Sequence, residues 1–323
     1  MSERELITIR TINNIVPIDG ADQIVCALID GWKVVVKKDE FKPGDSCIFF
    51  EIDSFLPAID NRFDFLAKSK RIWRGKEGYR LKTIKLRGQI SQGLALPVSL
   101  FPEGIDVLSN SIEKWEEDIH PSLAGQVKGS FPPFLHKTDQ ERIQNCYDDI
   151  DKSAYYEVTL KMDGTSLTIF RYNGELGVCS RNQELKINDE NADNLYVKQA
   201  NLFKNIPDGF AVQAEICGPN IQNNKIGLSS VQAFVFDIFD INYGGYVSND
   251  VRIAMCSKYG WKHVPVIFNG INSHLHTLDT ALAYAEQFTY DNGSPAEGVV
   301  FKRTNGKSSF KIISNKFLLK YGL

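Results

Sequence analysis

No two cysteines of this 323-residue chain stand at Cys-x-x-Cys spacing, which excludes the common zinc ribbons and thioredoxin-type redox pairs. The six present, Cys26, Cys47, Cys146, Cys179, Cys217 and Cys256, are far apart and read as buried free thiols. Histidine is scarce too. Of five, only His274 and His276 lie close together, and a lone His-x-His beside a loop earns no assignment. No apolar run approaches the roughly 20 residues of a membrane span, and the start MSERELITIR has neither the apolar core nor the cleavage site of a secretory leader. Positive charge is not in excess. With 37 Lys and Arg against 40 Asp and Glu the net charge is −3, so the molecule as a whole is no polycation for coating nucleic acid. Repeats and low-complexity tracts are absent. These absences leave the expectation of a soluble, intracellular protein without a membrane partner, long enough for about two domains.

Charge is nevertheless concentrated locally. From Lys68 to Arg87 the stretch KSKRIWRGKEGYRLKTIKLR holds nine Lys or Arg and one acid, Glu77, with Trp73 and Tyr79 interleaved. Such a stretch can track phosphates and stack on bases, or it can be a solvated strand face with a basic loop. The runs ELITIRTI, QIVCALI, WKVVVKK, SCIFFEI and YRLKTIKLR, bounded by Asp19-Gly20, Asp30-Gly31 and Pro43-Gly44, read as short strands. About five strands in about 100 residues with few helical signals suggest a small, OB-like β-barrel.

Residues 101–150 are punctuated by Pro102, Pro121, Gly125, Gly129 and Pro132-Pro133, with a possible helix at IEKWEEDI and a short helix carrying Glu141 and Arg142 that Asp139 can cap. From Tyr155 onward the runs YYEVTL, SLTIFRY, LGVCSR, FAVQAEIC, AFVFDIF, EGVVFKR and SSFKIIS predict strands. Helices are expected in DNLYVKQANLFKNI, NDVRIAMCSKYG and LDTALAYAEQFTY. Strands outnumber helices and do not alternate strictly with them, so the fold class is α+β with antiparallel sheets. The boundaries predicted are a barrel over 1–105, a connector over 106–125 and a second domain over 126–323.

Within EVTLKMDGTSLTIF an apolar strand pattern ends on Lys161, is interrupted by Asp163-Gly164 and resumes at once. A lysine of ordinary pKa near 10.4 is neutral in roughly one molecule in a few thousand at pH 7. Nucleophilic use of Lys161 therefore needs desolvation or neighbouring positive charge. Lys302 in EGVVFK and Lys311 in SFK are strand-borne lysines able to supply that charge or to grip a polyphosphate. Glu215, Asp237 and Glu297 are strand-borne acids suited to a hard cation. Singly each of these is weak. The ordered set is Lys161-x-Asp163-Gly164, Ser180-Arg181-Asn182, Glu215, FVFDIF, EGVVFK and SFK.

That order resembles the nucleotidyltransferase motifs of covalent polynucleotide ligases and capping enzymes. It is most similar to ATP-dependent nick-sealing RNA ligases with an N-terminal OB domain, a resemblance that extends to LKTIKLRGQISQGLALP and KTDQERIQN. Only 12 residues follow Lys311 in this sequence, leading to the expectation that no C-terminal OB module follows, unlike capping enzymes and most ATP-dependent DNA ligases. The resemblance implies an N-terminal OB-like nucleic-acid-binding domain and an antiparallel-sheet nucleotidyltransferase, or adenylation, domain. ATP would be the AMP donor, Mg²⁺ or Mn²⁺ the metal, and nicked duplex RNA or an RNA/DNA hybrid the partner, with no obligate protein partner.

The roles implied are these. Lys161 is the nucleophile that becomes lysyl-AMP, and Lys302 and Lys311 contact the α-phosphate. Asp163 and Gly164 form a turn beside it, with Asp163 near ribose or a hydrated metal. Arg181 holds ribose or the acceptor phosphate, and Glu215 and Glu297 hold the metal, through waters. Phe236 stacks on adenine, with Phe234 and Phe268 as alternatives, while the backbone beside Thr159 and Leu160 reads the base edge. Many relatives carry Glu where this chain has Leu160, so that carboxylate contact is unavailable. Arg142 approaches the β,γ-phosphates or the 5′-phosphate. Lys82, Lys85 and Arg87 contact nucleic acid, and Lys307 and Lys316 stay unassigned. A ligase of DNA or mixed nicks, or an inactive nucleic-acid-binding relative, remains open at this point.

Overall fold

The computed structural model describes residues 5–116, 126–304 and 308–323. The connector beyond residue 116, the end of the helix expected in IEKWEEDI, and Lys307 lie outside the described residues. The chain divides into two compact units. One comprises the described residues of 2–117 with Ile143–Asp148 and Asn315–Leu323; the other comprises those of 118–142 and 149–314.

The first unit is built from short antiparallel strands. Ile7–Thr11 and Leu94–Pro97 flank Ser46–Phe50; Ile24–Ile29 lies between Asn14–Pro17 and Trp32–Lys37. Alternation in Trp32–Lys37 places Trp32, Val34 and Val36 inside, and Ile48, Phe50, Leu56, Phe63, Tyr79 and Leu96 form one closed core. Burying each such side chain contributes roughly 1.5–3 kcal/mol. Two expectations are corrected. YRLKTIKLR is not one strand: Lys76–Arg80 ends in the sheet of Ser54–Pro57, and Ile84–Leu86 starts a separate hairpin with Gln89–Ser91. Glu113–Lys114, read as helical, pairs instead with Ser54–Phe55 as a strand.

The second unit holds two sheets. The larger has seven strands in the order Val127–Ser130, Gln183–Leu185, Glu175–Cys179, Thr165–Tyr172, Phe210–Cys217, Gln232–Asp240 and Gly245–Tyr246. The smaller has five: Glu141–Arg142, Ser309–Ile313, Gly298–Arg303, Tyr156–Lys161 and Val266–Gly270. All described pairings in these sheets are antiparallel except Glu141–Arg142 with Ser309–Ile313. Glu141 and Arg142 are therefore strand residues, and the helix begins only at Ile143; Asp139 lies before the strand and pairs with Arg181.

The central strand Thr165–Tyr172 is covered on both faces. Leu167 and Ile169 pack with Val212, Ile216, Tyr196 and Phe203, whereas Phe170 packs with Ala211, Phe239 and Leu135. That explains a nearly continuous apolar run where one-sided exposure would give alternation. The helix Asn249–Tyr259 is fixed at both ends: Ser248 accepts from the Val251 N–H, and left-handed Gly260 (φ 69°) returns its N–H to the last turn. The helix carries Arg252, 1% exposed, onto Glu157, 0% exposed, through two hydrogen bonds of 2.8 and 2.9 Å. Pairing, with Nη2 reaching both carboxylate oxygens, is what makes such a buried charge tolerable.

Candidate active site

The Lys161 interruption marks a change of sheet. Tyr156–Lys161 belongs to the five-stranded sheet and Thr165–Tyr172 to the seven-stranded one, so Met162–Gly164 is the passage between them. Tyr156 to Leu160 are all buried, which seats the strand rigidly, and Lys161 emerges at its end. Gly164 sits at the bend between the two strands and also serves a close approach. A Cβ there would overlap the Ile216 carbonyl oxygen and lie 2.8 Å from Cys217 Sγ and 2.9 Å from Glu215 Cγ. Opposite Lys161 in the ladder stands Gly298, at φ 151°, whose own Cβ would overlap the Ile312 carbonyl. Glu297 immediately precedes it, and this register delivers the Glu297 carboxylate to the lysine.

A cleft of about 330 Å³ opens at this point. Its walls include Thr159, Leu160, Lys161, Asp163, Gly164, Arg181, Glu215, Phe236, Glu297, Lys302 and Lys311. Residues drawn from strands more than 130 positions apart thus converge. Arg142 is not among the wall residues; it is buried and stands opposite Lys311 in the parallel pairing. Lys82, Lys85 and Arg87 belong to the other unit.

The Lys161 amine lies 2.7 Å from Glu297 Oε2. Burial works to lower the Lys161 pKa, but Glu297, Glu215 and Asp163 outweigh it and the pKa is raised. Desolvation is thus present, as a lysine nucleophile requires, yet the neighbouring acids, Glu297 foremost, hold the amine as ammonium. Two of those acids, Glu215 and Asp163, carry the complementary strain. Burial pushes Glu215 up to about 8, with Lys161 opposing and Glu297 and Asp163 reinforcing the shift. Asp163 rises to about 6, first through burial and then through Glu297, although Lys225 sits 2.9 Å from its Oδ2.

A cluster of half-buried acids that repel one another suits a divalent cation. Among the described residues, no three His, Cys, Asp or Glu side chains are grouped closely enough to ligate a metal directly. A cation that keeps several of its waters, as Mg²⁺ does, needs no such direct cluster, and Glu215, Glu297 and Asp163 all line the cleft.

The other end of the cleft is organised by an irregularity that the sequence did not reveal. Gln213 pairs with Asp237 and Ala214 with Val235, leaving Phe236 as the extra residue of a bulge. Bulges re-aim side chains, and here Phe236 lines the cleft, while Phe234 and Phe268 are not among its walls. Lys302 sits over the Phe236 ring at 5.5 Å, pairs with Asp237 at 2.8 Å and hydrogen-bonds the Phe236 carbonyl. Burial lowers the Lys302 pKa while Asp237 pulls the other way. Asp237 is thereby engaged with Lys302. Arg252 also donates to the Phe236 carbonyl, at 2.8 Å. On the strand bearing Thr159 and Leu160, the Leu160 N–H is already given to the Pro265 carbonyl at 2.9 Å, so this amide is not offered to a base edge. Arg181 pairs with Asp139 at 2.5 Å on the cleft wall.

Sequence reasoning missed Lys225, whose amine reaches Asp163, and Tyr290, which touches the Lys161 backbone. Neither lies in a recognisable motif. Asp139 was visible only as a helix cap, because the parallel strand that follows it has no local signature.

In the first unit the basic stretch is partly neutralised. Lys70, Arg74, Lys76 and Arg80 pair with Glu77, Glu116, Glu113 and Asp53. No described acid pairs with Lys82, Lys85 or Arg87, and Lys85 and Arg87 are exposed on the Ile84–Leu86 hairpin and its turn.

A deep cleft with a strand-end lysine, metal-suited carboxylates and further lysines, following a small β-strand unit, defines a nucleotidyltransferase of the ligase type. The chain belongs to the RNA ligase family: the family model described as RNA ligase matches residues 154–321, and one described as an OB-fold domain matches residues 6–98. Among solved structures it is similar to Naegleria gruberi RNA ligase with PPi, at 39% identity and TM-score 0.89 over 98% of each chain. A lysine-to-alanine mutant of that ligase with ATP and Mn gives 40% identity and TM-score 0.90 over 100% of this chain and 99% of that one. A glutamate-to-alanine mutant with AMP and Mn gives 40% and 0.88 over 98% of each. A comparison with curated protein sequences finds no match.

Proposed function

We propose that the chain is an ATP-dependent RNA ligase that seals 3′-OH/5′-phosphate nicks in duplex RNA or RNA/DNA through a lysyl-AMP intermediate. The observation that carries this reading is the Lys161 amine held against Glu297 in a cleft shared with Asp163, Glu215 and Lys311. In the first step Lys161 Nζ attacks the α-phosphorus of ATP; the N–P bond forms, the bond to the bridging oxygen breaks and pyrophosphate leaves. A 5′-phosphate oxygen of the nicked strand then attacks the same phosphorus, breaking the N–P bond and freeing the lysine. Finally the 3′-OH attacks the adenylylated 5′ phosphorus and AMP departs.

Each residue has a part. Phe236 offers the stacking face for adenine, and Thr159 and Leu160 supply the backbone edge. Lys311 and Lys302 face the α-phosphate, Lys302 with Asp237 fixing its position. Asp163 and Arg181 border the ribose and acceptor phosphate, and Arg142 supports the phosphate side from beneath Lys311. When bound, Mg²⁺ or Mn²⁺ supplies positive charge beside Glu215, Glu297 and Asp163 and so offsets the repulsion that these carboxylates suffer. With that charge in place Lys161 would be relieved of part of the attraction that holds its proton, and its burial would favour the neutral amine. Lys82, Lys85 and Arg87 provide the phosphate-tracking surface of the first unit.

Incubation with α-labelled ATP and Mg²⁺ or Mn²⁺ tests this. An acid-stable, hydroxylamine-labile label is expected on the wild type and none on Lys161→Ala. No label on the wild type, or label on the variant, sinks the reading, and labelling by GTP instead points to capping-type chemistry. Nicks with RNA or DNA on each side separate the ligase classes: efficient sealing of all-DNA nicks without any ribose dependence overturns the RNA assignment.

A further inference from the structure

The nucleophile and the nearest carboxylate are joined by more than their ion pair. The Tyr290 hydroxyl donates to the Lys161 carbonyl oxygen at 2.8 Å and accepts from the Glu297 N–H at 3.0 Å. Its side chain is buried, 3% exposed, and both backbone groups stand where the ladder between Tyr156–Lys161 and Gly298–Arg303 ends. One hydroxyl thus continues the ladder by one step at the two residues whose side chains meet in the cleft.

The loop that carries Tyr290 is itself tightly closed. The Tyr290 N–H donates to Ser294 O, the Gly293 N–H donates to Tyr290 O, each at 2.8 Å, and the Ser294 N–H donates to Asn292 Oδ1 at 2.9 Å. From the same loop Asn292 Nδ2 reaches the Lys225 carbonyl at 3.0 Å, and Lys225 Nζ reaches Asp163. One short loop, whose own side chains do not line the cleft, therefore holds the backbones of Lys161 and Glu297 directly and reaches Asp163 through Lys225.

We infer that Tyr290 is a positioning residue for the adenylylation step, its hydroxyl fixing the backbone of Lys161 relative to that of Glu297 so that the amine meets the α-phosphorus in line. This rests on the proposal that Lys161 is the nucleophile. A tyrosine kept only for packing would need its ring and not its hydroxyl, and phenylalanine would replace it without consequence. A hydroxyl joining the two backbones acts on geometry at the reacting atom, where a displacement of about 1 Å can cost 10²-fold in rate.

The test is single-turnover labelling with α-labelled ATP and Mg²⁺ by full-length wild type and Tyr290→Phe, following rate constant, final labelled fraction and ATP dependence separately, with thermal unfolding alongside. The expected result is a rate constant lower by about tenfold, with the labelled fraction unchanged and KM for ATP within about twofold. A wild-type rate constant in Tyr290→Phe overturns the inference. So does a loss confined to labelled fraction or KM, which is what partial unfolding or a weaker nucleotide site produces. If the wild type labels normally and only the variant comparison fails, the lysyl-AMP reading stands without Tyr290; no label on the wild type overturns both.

Discussion

Replacing Glu215 with glutamine should make the metal-free protein more stable at alkaline pH while abolishing adenylylation. Burial among Asp163 and Glu297 raises the Glu215 pKa from 4.5 to about 8. At 1.36 kcal/mol per unit, that displacement corresponds to a disfavoured ionised form by an amount on the order of 5 kcal/mol. Glu215 is only half-buried, and the variant also forfeits the attraction of Glu215 for Lys161, so the net gain expected is about 2 kcal/mol. The direction follows from proton uptake. Below pH 4.5 the carboxyl is protonated in both folded and unfolded chains, and the substitution is neutral. Between 4.5 and about 8 the folded protein keeps a proton that the unfolded chain releases, so wild-type stability falls as pH rises. Above that range the full difference persists. Thermal unfolding at pH 4.5 and pH 9 in chelator should show nearly equal midpoints at the lower pH and a rise of roughly 3 °C for Glu215→Gln at the higher one. A variant no more stable at pH 9, or stabilised equally at both, would refute the electrostatic reasoning.

Other consequences can be checked as directly. Neutralising Lys82, Lys85 and Arg87 together should weaken nick sealing and reduce the salt slope of RNA binding by up to about 3, while self-adenylylation stays nearly intact; filter-binding and labelling assays read the two separately, and loss of both would give the hairpin a structural role. Gly164→Ala should cost roughly 2–3 kcal/mol of stability and nearly all labelling, because the added methyl collides with the Ile216 carbonyl and presses on Glu215. Arg252→Met should destabilise by about 3–5 kcal/mol by stranding Glu157 in the interior, and adding Glu157→Gln should restore part of that loss in denaturant melts.

Much of the chemistry was legible because it is carried by strands whose residues announce themselves. Lys161, Glu215, Glu297, Lys302 and Lys311 each end or interrupt an apolar run, and the cleft gathers all five. Their pairings were not legible. Lys302 looked equivalent to Lys311, but the bulge at Phe236 turns Asp237 onto it, and bulges leave no reliable trace in hydrophobic alternation. Arg142 looked helical because Asp139 and Glu141 mimic a capped first turn. The strand it forms exists only because Ser309–Ile313 is there to pair with it, almost 170 residues away. The neutralised and unpaired halves of the basic stretch could not be told apart either, since Glu113, Glu116 and Asp53 come from other parts of the chain.

By itself the sequence determined the α+β class, most strand positions and the residue types of the cleft, since these follow from local periodicity and from side-chain chemistry that no fold can alter. Tertiary structure decided which of those groups meet. The Lys161 amine is held as ammonium by Glu297 and Glu215 from distant parts of the chain together with its near neighbour Asp163, Phe236 rather than Phe234 faces the cleft, and Tyr290 and Lys225 join the site from loops without a motif. The reason is physical: pKa, burial and hydrogen-bond geometry depend on distances of a few ångströms between residues far apart in the chain, and those distances are set by sheet register.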